Sequence, residues 1–124
     1  MTTVGNIIDR LNVCFPPERM EEWDRAGFNC GRRDAPVTKV LVALDPFSEA
    51  CREAKDWGAE LLVTHHTLLW NTRFLTDETE TGRNALFLIE NHIACFNIHP
   101  ALDVAPEGVN NVLARTLGLS GIRV

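Results

Sequence analysis

Val4, Ile7, Ile8 and Leu11 recur at three- and four-residue intervals. That spacing predicts an amphipathic helix near the start of the chain, with Thr2 or Thr3 as its cap. Phe15-Pro16-Pro17 ends it, because proline lacks the N–H that the helix ladder needs. A short segment from Trp23 to Gly31 follows, and residues 32–39 read as a loop. The pattern then changes. VTKVLVALD, residues 37–45, is almost uninterrupted in valine and leucine, which suits a strand buried on both faces of a parallel sheet. Asp45-Pro46 predicts a helix cap followed by a first-turn proline. Phe47, Ala50, Cys51, Ala54 and Trp57 give the helical stripe, closed by Gly58.

AELLVT, residues 59–64, is a second strand, and the polar stretch 71–83 reads as a loop. Ala85, Leu86, Leu88 and Ile89 mark a helix, IACFNI (93–98) a third strand, and Val109, Val112, Leu113 and Leu117 a last helix. The alternation β-α-β-α-β-α predicts one α/β domain over residues 1–124, with a mainly parallel sheet and flanking helices.

Each of the three strands runs into ionisable residues. The first ends at Asp45, the second enters His65-His66, and the third enters His99, with Asp103 four residues on. Ligands of open parallel sheets gather at the carboxyl ends of the strands, so these residues can converge although they are far apart in sequence. Neighbouring strand residues point to opposite faces. Two adjacent histidines can therefore share a site only where the strand is ending and the backbone turns. Imidazole with carboxylate suits Zn, Mn or Fe, and ligation offsets the cost of burying such groups. His92, in the turn ENHIA, is expected to be structural, and Asp45 a helix cap rather than a ligand. Trp23, Trp57 and Trp70 are expected to pack rather than to form a stacking platform, and the acidic run at 78–80 to be a solvated loop.

Composition narrows the classes. An apolar share of 45% and a charged share of 23% are those of an ordinary globular domain. The net charge of −5, with Lys39 and Lys55 as the only lysines, argues against nucleic-acid binding. No apolar run reaches the roughly 20 residues of a bilayer span, and MTTVGNIIDRL has no basic region of a secretory signal. Cys14, Cys30, Cys51 and Cys95 are widely spaced, which predicts reduced, mostly buried thiols and a cytoplasmic protein. Phosphate-binding glycine loops, a serine elbow and a His-Glu-x-x-His motif are all absent.

The segments EEWDRAGFNCG, KVLVALD, GAELLVTHHTLLW, NHIACFNIHPALD and EGVNNVLARTLGL, in that order, resemble the Nif-three-like dinuclear metal-binding family over residues 4–119. Its members often carry the name type 2 GTP cyclohydrolase I. The resemblance implies a divalent-metal site in which His65, His66 and Asp103 are ligands and His99 orients a ligand or shuttles a proton. It implies a metal-dependent hydrolase acting on a nucleotide-like substrate, or alternatively a non-catalytic metal-binding or interaction module. It also implies a homo-oligomer, for which the family's toroidal hexamers are the pattern, and a regulatory protein as a further partner. Two residues depart from the family: Thr67 stands where proline is usual after the paired histidines, and Arg25 where asparagine is usual after Trp-Asp. Family members continue with a second α/β half that brings a His-x-x-x-Glu motif. Here no histidine follows His99, and Glu107 is the only acid after Asp103. The expected site therefore holds at most one ion per chain, substoichiometrically.

Overall fold

The computed structural model describes residues 1–17 and 23–122, so Glu21 and Glu22 of the EEWDRAGFNCG segment lie outside the described residues. In chain order the elements are α1 (Val4–Cys14), β1 (Gly27–Cys30), β2 (Val40–Ala43), α2 (Ser48–Trp57), β3 (Leu61–Thr64), α3 (Glu80–Glu90), β4 (Ala94–Asn97), α4 (Ala101–Val104) and α5 (Val109–Thr116). The strands form one sheet in the order β1-β4-β3-β2. β2, β3 and β4 are parallel, and β1 adds an antiparallel edge. The sheet is thus mainly parallel, as the alternation of the sequence predicts, with one strand more than the three expected.

Side-chain alternation along β3 divides the interior into two cores. Leu61 and Val63 point towards α1 and pack with Val4, Ile8, Ala94, Phe96 and Ile98. Leu62 points the other way, into a cluster with Cys51, Ala54, Ala85, Leu88 and Cys95 from α2, α3 and β4. Complete burial of a leucine or isoleucine such as Ile8, Leu61, Leu62 or Leu88 is worth about 1.5–3 kcal/mol. All residues of β3 and β4 are buried, which suits central strands.

Several boundaries differ from the sequence expectation. β2 is an edge strand, and only its Val40 packs against the core that α1 covers. Val42 is 75% exposed and Leu44 63%, so the strand is not buried on both faces. Helix α2 begins at Ser48 with Phe47 as its cap and no side-chain capping bond, so neither Asp45 nor Pro46 starts it. Helix α3 begins at Glu80, because the Thr79 hydroxyl accepts from the Gly82 N–H; of the acidic run only Glu80 is helical, and residues 78–80 are all exposed, as expected of a solvated segment. Gly82 is required there, since a Cβ would stand 1.7 Å from the Thr76 carbonyl oxygen. The first helix is capped as expected. Thr3 and Asn6 satisfy each other's backbone N–H groups in a reciprocal box.

Candidate metal centre

The site is built at the carboxyl ends of β2, β3 and β4. Ala43 pairs with Thr64, and Thr64 with Asn97. The His66 N–H donates to the Leu44 carbonyl at 3.0 Å and the Ile98 N–H to the Thr64 carbonyl at 3.1 Å, so the ladder runs on past the strand ends. Two residues further along that register come Asp45, His66 and His99, side by side across the edge. The structure brings them together. His66 Nδ1 lies 2.6 Å from Asp45 Oδ1, and the His66 and His99 ring centroids are 5.7 Å apart.

His65 belongs to the opposite face, where α4 follows β4. There its Nε2 lies 3.6 Å from Asp103 Oδ2. Because β3 is ending, the His65 ring still meets both of the others, at 4.8 Å from His66 and 5.1 Å from His99. One ring nitrogen from each of His65, His66 and His99 falls within a 4.8 Å group, a spacing that could hold a metal ion. His92 is outside this group. It occupies the turn between α3 and β4, exposed and with a φ of 58°.

The surroundings fix which nitrogens are free. Asp45 holds His66 through Nδ1, which leaves Nε2 for a ligand. Asp45 is itself steadied by the turn after it. Asn84, buried between Pro46 and Ser48, donates to the Pro46 carbonyl at 3.2 Å and accepts from the Ser48 hydroxyl at 2.8 Å. His99 Nδ1 faces Asp24 Oδ2 at 3.4 Å. Asp24 has a wholly buried side chain and also accepts from the Arg25 N–H at 2.6 Å. Sequence reasoning placed Asp24 only within the family resemblance and gave it no role. It is a second carboxylate behind an imidazole, in the same arrangement as Asp45 behind His66.

His65 shows the chemistry of the donor set most directly. Its Nδ1 is buried and is the one such atom, among the described residues, without a hydrogen-bond partner. Burial lowers the pKa of the ring, opposed by Asp103 and reinforced by His66 and His99. It is therefore held neutral, the form in which imidazole ligates. An orphaned nitrogen, a neutral ring and two imidazoles backed by carboxylates fit a divalent ion.

The tryptophans are not the packing residues expected. Trp23 is 58% exposed, Trp57 50% and Trp70 43%. Trp23 and Trp70 stand against His99, at 6.3 and 6.4 Å between ring centroids. The cysteines follow expectation more closely: all four are free thiols, with Cys51 and Cys95 buried, Cys30 half-buried and Cys14 exposed.

Comparison with known proteins shows the family and the fold. The family described as Duf34/NIF3 (NGG1p interacting factor 3) matches residues 2–124. A Streptomyces coelicolor protein named GTP cyclohydrolase 1 type 2 homolog is 40% identical over 99% of this chain, which spans 44% of that protein. A Clostridium perfringens protein of the same name is 36% identical over 94% of the chain and 45% of its own length. Among solved structures, a Bacillus cereus protein related to NIF3 superposes with a TM-score of 0.93 at 33% identity, over all of this chain and 35% of that one. Reduced HcgD from Methanocaldococcus jannaschii gives 0.86 at 28% identity, over 98% of this chain and 49% of that one. The chain thus spans less than half the length of the curated relatives it matches. No described helix is long and apolar enough to cross a membrane.

Proposed function

Because this chain belongs to the Duf34/NIF3 family across residues 2–124, we propose that it is a divalent-metal protein whose ion is held by His65, His66 and His99. The observation that carries this reading is the cluster of three imidazoles at one sheet edge, one of them with a buried and unpartnered nitrogen. His99 is then a ligand, a larger role than the orienting or proton-shuttling one implied by the resemblance. Asp103, half-exposed and 3.6 Å from His65 Nε2, is the group that can complete the ligand set or accept a proton from a bound substrate. Asp45 and Asp24 orient His66 and His99 and raise their basicity.

A bound divalent ion supplies Lewis acidity, which polarises an oxygen of a substrate and acidifies water. Together with the names of the relatives, this supports a hydrolase-like activity on a nucleotide-like substrate. Three imidazoles match one ion whose fourth position is left open, so one ion per chain is the expected stoichiometry. Zn, Mn and Fe all suit this donor set.

The test is metal content after purification without chelator. His65→Ala, His66→Ala and His99→Ala are each expected to lose the ion, and His92→Ala to keep it. Full occupancy in His99→Ala would remove His99 from the ligand set. Full occupancy in all three cluster variants would overturn the site. Two tight ions per chain in a calorimetric titration with Zn²⁺ or Mn²⁺ would overturn the stoichiometry.

A further inference from the structure

Trp23 and Trp70 remain unused by the metal reading, and their placement calls for a cause. Indole is the largest apolar side chain, and two adjacent ones more than two-fifths exposed are an uncommon surface for a small domain. Their ring centroids are 6.1 Å apart with planes at 68°, so they form an open V rather than a stacked pair. The His99 ring closes the foot of the V. With His66 and Thr67, these rings line a cavity of about 350 Å³, in the size range of small-ligand sites.

Both walls stand on fixed ground. Trp23 precedes Asp24, whose buried carboxylate faces His99. Trp70 follows Leu68, which is 3% exposed, and Leu69, whose N–H donates to Asn29 Oδ1 at 3.0 Å. The indoles are therefore presented, not left loose. At 6.1 Å the walls are too close for a ring to lie sandwiched between them, which needs about 7 Å at ordinary contact distances. A planar ring can instead stack on one exposed indole face and present its edge to the other, an arrangement aromatic groups favour.

We propose that Trp23 and Trp70 form an aromatic subsite for a small molecule with a planar, bicyclic-sized ring, whose anionic end is directed at His66 and His99. The ring half of this inference stands on the indoles alone. Only the anionic end rests on the metal reading. The net charge of −5 and the two lysines of the chain favour a free small molecule over a polynucleotide.

Two acids of the same charge and carbon skeleton separate stacking from charge: 2-naphthoate, which is planar, and decahydronaphthalene-2-carboxylate, which is not. Each is titrated calorimetrically into the 124-residue protein, with Zn²⁺ and after chelator treatment. Stacking on an aromatic side chain is worth about 5- to 150-fold in affinity, so the planar acid should bind tighter by a factor in that range. The preference should vanish in Trp23→Ala and Trp70→Ala, persist in part in Trp23→Phe and Trp70→Phe, and be unchanged in Trp57→Ala. Removing Zn²⁺ should weaken both acids and leave their ratio intact. A preserved ratio beside an unchanged affinity would overturn the anionic half and count against the metal reading, while the ring subsite stood.

Equal affinities for the two acids, or binding of neither at millimolar concentration, would overturn the subsite without touching metal content. So would a preference that survives both alanine variants. If Trp23→Ala and Trp70→Ala changed the sedimenting mass and left the ratio alone, the indoles would be an assembly contact, and the subsite would be refuted.

Discussion

Asn97 is the position where a single substitution should cost the most for its size outside the apolar cores. Its side chain is 1% exposed and sits under the metal site at the end of β4. Its Oδ1 accepts from the Gly27 N–H at 3.1 Å and from Asn29 Nδ2 at 2.6 Å, and its Nδ2 donates to the Thr67 hydroxyl at 2.8 Å. One amide thus ties β1 to β4 and both to the residue after His66. Asn97→Leu keeps the volume and removes all three bonds.

Three hydrogen bonds at about 1 kcal/mol each give about 3 kcal/mol, and the stranded Gly27 donor adds about 1–3 kcal/mol. Burial of the leucine returns about 1.5–3 kcal/mol. The net loss is about 1–4.5 kcal/mol. At about 4 °C per kcal/mol for a domain of this size, Tm should fall by roughly 4–18 °C. Urea unfolding at neutral pH measures it, with the midpoint shifting at constant slope. Thr67→Val removes only the third bond and should cost about 1 kcal/mol, and the double variant should fall short of the sum by about the same amount. An Asn97→Leu protein within 0.5 kcal/mol of wild type (roughly the error of such comparisons) would show that this amide does not organise the edge.

The other predictions concern the site, the termini of elements and the thiols. Asp45→Ala should lower metal affinity by about 10- to 100-fold while leaving Tm of the metal-free protein nearly unchanged, because Asp45 orients His66 and does not cap α2; unchanged affinity by competition titration would refute that role. Glu60 accepts from the Thr38 and Lys39 N–H groups and from the Thr38 hydroxyl, and these bonds hold its pKa below the ordinary 4.5. Its contribution is therefore present above pH 4.5 and lost as pH falls through the depressed value, so wild type and Glu60→Gln should converge in stability under acid, and parallel curves down to the acid limit would contradict it. Burial pushes the Cys30 and Cys51 thiols up to about 11 and Cys95 upward as well, so iodoacetamide at pH 7.5 should modify Cys14 alone in the folded protein and all four after denaturation; modification of Cys51 in the native state, seen by peptide mass, would refute the buried placement. The uncovered apolar face at Val42, Leu44 and Val109 is expected to be buried in self-association, and a monomer by sedimentation at roughly tens of micromolar would contradict this.

The parallel part of the fold was legible because its strands are continuous apolar runs and its helices are cleanly periodic. β3 and β4 are buried throughout, as their sequences imply. β1 was not legible. Gly27-Phe28-Asn29-Cys30 holds two poor strand formers, and it is a strand because it pairs antiparallel with β4, some 70 residues away, where Gly27 and Asn29 also bond to the Asn97 side chain. Long-range pairing makes that element, and no local pattern carries it. The edge character of β2 was hidden for a related reason. Val42 and Leu44 read as core, but what covers a strand is a property of the neighbouring layer and not of the strand's own letters.

The site was legible in its members more than in its pairings. Asp45, His65, His66, His99 and Asp103 follow three strand ends, and the sheet edge collects them. Which carboxylate serves which imidazole depends on register, and register is where the sequence runs out. Once Ala43 is opposite Thr64 and Thr64 opposite Asn97, counting two residues on places Asp45 beside His66 and His66 beside His99. The same count sends His65 to the other face, towards Asp103. A slip of one residue in either ladder would exchange these partners and turn a carboxylate-backed histidine into an unsupported one. The register is held by the alternating burial of Leu61, Leu62 and Val63 between two cores, so the apolar residues of β3 determine the chemistry at its end as surely as the histidines do.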